Sequence, residues 1–234
     1  EVHAALPSKL RFGPGGKSLV LDLRKKGIGP EGAARLEFPS GIVELDLDLS
    51  RCGLRAVGAA GLRLPQNLLR LRLVLHKCDI GPEGAKALTL PPALERLELD
   101  LSHCLIGPHG ASNLQLPRGL LELDLSLLRC GIGDRGLKAL MLPDGIKKLR
   151  LDLARCEVGP DGLKSLRVPP RLTDLALDLT MCSVGPEQLK AYIASLPNSL
   201  EALEMNLTGC KVTTSSLQLL EKAAKQRLPG VSSP

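Results

Sequence analysis

Aromatic side chains are nearly missing from this chain. Its 234 residues include no Trp, one Tyr and two Phe. That scarcity withholds the platforms on which proteins stack unpaired bases. Apolar residues still make up 44%, enough for a continuous interior, which therefore has to be leucine. Long hydrophobic runs are missing too. No stretch of 18 apolar residues occurs, so no segment has the length of a bilayer-spanning helix. The amino terminus has neither an initiator Met nor the apolar centre of a secretion signal, which predicts a processed or trimmed chain, removal of an organellar import segment being one route to it. Only four His are present, and none stands in a triad or acid–base arrangement with a nucleophile. No catalytic residue and no small-molecule substrate are expected.

What the chain does have is a period. Cysteines stand at positions 52, 78, 104, 130, 156, 182 and 210, five intervals of 26 residues followed by one of 28. An odd number of cysteines in one phase does not suit a disulfide framework, whose spacings are irregular. It predicts inward-packed thiols in a reducing, intracellular compartment, either cytoplasm or the interior of a mitochondrion or plastid. The one glycosylation sequon, Asn206-Leu207-Thr208, falls where other copies carry Asp, so the repeat accounts for that Asn. Aligned on the cysteines, the chain shows eight copies, clearest in Pro65–Leu90, Pro91–Leu116, Pro117–Leu142 and Pro143–Val168. The first copy is degenerate, with Lys26 in the cysteine position. One uninterrupted repeat implies one elongated body.

Each copy reads as a strand and a short helix. In Pro91–Leu116, Leu97, Leu99 and Leu101 alternate with Glu98 and Asp100, the period of a strand with one buried face. Cys104 and Ile106 turn the chain inward, and Gly107-Pro108 opens a helix, where proline's missing N–H goes unnoticed. Leu-Pro then ends the helix after about two turns. Glycine recurs inside six of these helices, at 32, 58, 84, 110, 136 and 162. It is the worst interior helix former after proline, so its recurrence predicts close backbone approach. Strand and helix restarting in one direction give an α/β, right-handed solenoid of eight repeats of about 26 residues. The parallel sheet takes the concave face and the short helices the convex face. Residues 1–18 are expected as an N-terminal cap closed by Leu6, Leu10 and Phe12, and 19–212 as the solenoid. Residues 213–228 should form a capping helix with Leu217, Leu220, Ala224 and Leu228 on its dry side. Residues 229–234 remain as a tail.

The motif L-x-x-L-x-L-x-L-x-x-C-x-I-G resembles leucine-rich repeats of the ribonuclease-inhibitor class. Residues 80–88, I-G-P-E-G-A-K-A-L, are similar to the GALA-type subclass. The resemblance spans roughly residues 10–222 and implies protein recognition without naming a target. An extra L-D pair in each copy departs from the family pattern and implies a longer strand.

Three columns of side chains between the strand leucines face outward. Together their 24 positions hold twelve acids and five bases, a net −7 on a chain whose total is +6. Partner-binding residues expected on this concave face are Asp48, Arg70, Arg72, Val74, Asp100, Asp124, Leu128, Arg150, Asp152 and Asp178. Just past the strands runs a basic rim of Lys25, Arg51, Lys77, Arg129 and Arg155, with His103 in the same column. These columns predict a non-enzymatic protein-interaction scaffold, an accessory or structural subunit of a larger assembly, that meets a basic protein surface with its concave face or rim. The alternative is a protein that contacts RNA or another anionic surface through the basic rim within a ribonucleoprotein, although the lack of aromatics disfavours nucleic acid. No cofactor is expected. Gly15-Gly16-Lys17-Ser18 fails as a phosphate loop because Arg11 stands where its first glycine belongs. The cysteines lack the C-x-x-C spacing of a metal site.

Overall fold

A computed structural model describes residues 9–227. Leu6, the side chain of Leu10, Leu228 and the 229–234 tail lie outside what it describes. Within the described residues a nine-stranded sheet runs in sequence order. Strand β1 (Lys9–Phe12) precedes the repeats, which then supply β2 (Ser18–Asp22), β3 (Glu44–Asp48), β4 (Arg70–Val74) and β5 (Arg96–Asp100). The sheet continues through β6 (Glu122–Ser126), β7 (Lys148–Asp152), β8 (Asp174–Asp178) and β9 (Ala202–Asn206). Strand β1 is antiparallel to β2, and every later pair is parallel.

Helices alternate with the strands: α1 (Gly29–Ala34), α2 (Arg55–Gly61), α3 (Gly81–Ala87) and α4 (Gly107–Asn113), then α5 (Gly133–Ala139), α6 (Pro160–Ser165), α7 (Pro186–Ser195) and α8 (Thr214–Arg227). This is the unclosed α/β solenoid that the repeat predicts, with sheet and helices on opposite faces.

Register explains the leucine. Leu47, Leu73, Leu99, Leu125, Leu151 and Leu177 stand opposite one another across successive strands, with Met205 last. The leucines are buried, Leu125 completely. A stack of identical rungs needs one side-chain shape that fits above and below itself, and an aliphatic one does so without a polar atom to satisfy. The helix glycines have the predicted reason. A Cβ on Gly136 would lie 3.0 Å from the Pro108 Cα and 2.8 Å from the Ile132 Cβ, so each helix can sit close on the one before it.

The cysteines form an interior file. Each thiol donates to a main-chain carbonyl of the preceding rung: Cys78 to Leu49 at 2.9 Å, Cys104 to Leu75 at 3.0 Å and Cys156 to Leu127 at 2.7 Å. That carbonyl also accepts from its own turn, as Leu49 does from the Cys52 N–H at 3.1 Å. The file thus satisfies a second lone pair on a buried acceptor at the corner where the ladder ends. Burial pushes the thiols of Cys78 and Cys130 up to about 12 and that of Cys156 up to about 11, so they stay protonated donors.

The two ends differ from the expectation. Phe12 is 57% exposed and does not close the first rung; the antiparallel pairing of β1 with β2 covers that edge through the main chain instead. At the other end α8 packs on α7 but leaves a cavity of about 460 Å3 against β9, lined by Leu203, Met205, Leu217 and Leu220 among others. The last rung is therefore only half covered.

Candidate functional site on the concave face

Alternation along each strand lifts the residues between the leucines into the solvent, and the parallel register sets them in columns about 4.8 Å apart. Charges at that separation act strongly on one another, so the columns are best understood by asking what faces each charge one rung away.

In the first half the columns are laced by ion pairs, although Arg70 stands opposite Arg96 and Glu98 opposite Asp124. Arg70 pairs with Glu44 at 2.5 Å, Arg72 reaches both Asp46 at 3.0 Å and Glu98 at 2.6 Å, and Arg96 pairs with Glu122 at 2.5 Å. The like-charged neighbours Asp22 and Asp48 are bridged by Arg24, 2.6 Å from one and 3.4 Å from the other. Burial works against the Arg72 charge, but its hydrogen bonds to Asp46 and Glu98 outweigh it and raise its pKa. Arg70 and Arg72, expected as contact residues, are thus already engaged within the face.

The second half lacks such pairs. Asp152 and Asp178 stand opposite each other and are met by neutral donors: Ser126 Oγ donates to Asp152 at 2.9 Å and Asn206 Nδ2 to Asp178 at 2.9 Å. Asp124, Asp152, Asp178 and Glu204 share one open depression of about 250 Å3 with Arg150, and Ala176 leaves its floor low. Burial, with the Glu98 charge next, raises the Asp124 pKa, and Arg150 opposes that rise. Lys148 and Arg150 make no ion pair within 4 Å among the described residues.

The aspartate column also has a structural duty that the sequence did not disclose. The first oxygen of Asp48, Asp100, Asp152 and Asp178 accepts the backbone N–H two residues on, at 2.8–2.9 Å. Asn206 does the same for Thr208 at 3.2 Å, which accounts for Asn in that column. The signal was available: an Asp or Asn that recurs where a strand enters a turn is the residue type that caps its own main chain.

Two expected contacts are placed differently. Val74 is only 5% exposed; it sits between Asp48 and Asp100, and its short branched side chain does not rise above them. Leu128 is half-buried and lies past the strand, beside the rim. Lys25, Arg51, Lys77, Arg129 and Arg155 are all exposed, one on each of five rungs. No cluster of three or more His, Cys, Asp or Glu among the described residues has the arrangement to hold a metal ion. No described helix is long and apolar enough to cross a membrane.

Comparison with known families matches the leucine-rich repeat at residues 67–88, 120–141 and 147–166. No curated protein matches the chain. Among solved structures, the leucine-rich repeat-containing protein LegL7 from Legionella pneumophila is 14% identical over 97% of this chain and 88% of its own, with a TM-score of 0.39. Human trophoblast glycoprotein, also called Wnt-activated inhibitory factor 1, is 18% identical over 89% of this chain and 83% of its own, with a TM-score of 0.41.

Proposed function

Since the chain is a leucine-rich-repeat protein, we propose that it is a non-enzymatic protein-binding scaffold, an accessory subunit of a larger assembly, whose concave face receives a basic segment of its partner on strands β6 to β9. One observation carries this reading. Four carboxylates, those of Asp124, Asp152, Asp178 and Glu204, surround a depression that holds a single unpaired arginine, Arg150. A guanidinium or ammonium entering there would meet acceptors that the fold has already assembled, and charge-assisted bonds of that kind are the stronger ones. The earlier strands offer a partner less, because a contact to Arg70 or Arg72 has to displace an existing pair.

The alternative, an RNA contact through the rim, has charge in its favour and the near absence of aromatic side chains against it.

The test is titration of an arginine-rich peptide against the protein and its Asp124→Lys/Glu204→Lys variant. These two side chains make no hydrogen bond that the fold uses, unlike Asp152 and Asp178. Saturable binding that falls about tenfold or more in the variant supports the reading. Equal affinity in both places the interface elsewhere. Affinity capture with crosslinking from the native source then identifies the partner, with crosslinks expected at Lys148.

A further inference from the structure

The basic rim has a property that charge alone does not require. Lys25, Arg51, Lys77, His103, Arg129 and Arg155 all have positive φ, between 53° and 59°. Side chains other than glycine adopt this left-handed conformation only at an energetic cost. Glycine fits the position: Gly209 takes it on the last rung with φ 73°. Seven rungs nevertheless carry a long or ring-bearing side chain there, five of them cationic, with Met181 at φ 60° on the seventh. Strain kept at one position over successive rungs is a reason to look for a use.

Three further observations agree. Every Arg or Lys that pairs with a carboxylate among the described residues lies on or beside the concave sheet; the rim cations make no such pair. The rim residues act on one another, since burial first and then the charges of Lys77, His76 and Arg129 lower the His103 pKa. And Leu105, two residues beyond His103, is 69% exposed with φ 50°, at a position that Gly27, Gly53 and Gly131 occupy on three other rungs and the exposed Asp79 and Glu157 on two more. An exposed leucine in a left-handed conformation, between Lys77 and Arg129 along the file, gives the strip an apolar centre.

We propose that this file binds an extended acidic peptide segment with an apolar side chain near its middle. From Lys25 to Arg155 the file covers five rung spacings, about 24 Å, which matches about seven residues of extended chain. Carboxylates of the segment meet the cations along the strip, and its apolar side chain packs on Leu105. This surface is separate from the acidic depression, so the two readings stand or fall independently.

The experiment is fluorescence anisotropy with the labelled peptides EEELEEE and EEESEEE and an oligouridine of equal charge, at low salt and then rising salt. The expected result is saturable, salt-sensitive binding of EEELEEE that exceeds binding of both other probes. Lys77→Gly/Arg129→Gly weakens it by about tenfold or more while keeping the fold, because glycine suits both backbones. Leu105→Gly removes the preference for the leucine peptide over the serine peptide. Lys86→Glu/Lys138→Glu, on helices α3 and α5, changes affinity by less than about twofold. Absence of saturable binding overturns the proposal. So does equal loss in the rim and helix variants, or tighter binding of oligouridine than of either peptide.

Discussion

The two halves of the concave face share one scaffold and treat charge in opposite ways. On β2 to β6 the ion pairs Glu44–Arg70, Asp46–Arg72–Glu98 and Arg96–Glu122 run from rung to rung, even though Arg70 stands opposite Arg96. On β6 to β9 no such ion pair closes within 4 Å among the described residues, although Glu122 faces Lys148, Asp124 faces Arg150 and Lys148 faces Asp174, and Asp152 stands against Asp178. The scaffold cannot be the cause, because the leucine columns beneath are the same. The lesson is that in a parallel, in-register stack each charge answers to its neighbour 26 residues away, so a repeat can be laced by ion pairs on one stretch and leave its charges unpaired on the next with no change of fold.

That comparison makes unequal demands on core and surface. If the halves differ only at the solvent face, deep truncations must cost the same in both. Leu73→Ala and Leu151→Ala, each almost wholly buried, should each lower unfolding free energy by about 2–5 kcal/mol. The same change at half-buried Leu21, on the first rung, should cost less. Urea melts that gave unequal losses for the first two would break the comparison.

Helix spacing gives the next largest effect. Gly84→Ala and Gly136→Ala both push a Cβ to within 2.8 Å of an isoleucine Cβ and should each cost about 1–3 kcal/mol, again without regard to half.

Charge should then separate the halves by sign. Arg72→Ala removes two partly exposed pairs and should destabilise by up to about 1 kcal/mol. Asp124→Asn relieves a crowded carboxylate and should raise the midpoint of unfolding at neutral pH. Destabilisation by Asp124→Asn would mean that the second half is not under repulsion.

The smallest effect is the pH dependence of that last difference. Because the folded state raises the Asp124 pKa, proton binding favours folding, and this contribution is lost as pH rises through the folded value. The advantage of Asp124→Asn over the natural protein should therefore shrink as pH falls and vanish near about pH 3. Thermal melts across that range measure it.

Much of the fold could be read from residues that repeat because packing leaves them no choice. The cysteine period, the alternating leucines and the helix glycines each answer to a neighbour of the same kind, so their recurrence in the chain mirrors their contact in space. The surface was less legible. The five acids of the aspartate column read as a binding face, whereas most of them also cap the turn that follows. Arg70 and Arg72 read as free anchors because the sequence lists charges in order along the chain, while their partners lie one repeat before or after. Val74 lies in an outward column yet is covered, since height above the sheet depends on the length of the flanking side chains. Phe12 and the half-covered last rung were unreadable for another reason: an end has no second copy to confirm it.

The file of thiols makes each coil depend on its successor. The carbonyl of Leu49 waits for the sulfur of Cys78, and that of Leu75 for Cys104, so a ribosome releases every acceptor before its donor and a growing chain is always one coil short of completion. Excision of an entire 26-residue unit should accordingly leave every remaining sulfur an oxygen to serve, like a link taken from a chain. Removing half a unit would strand both the sulfur and the oxygen it serves.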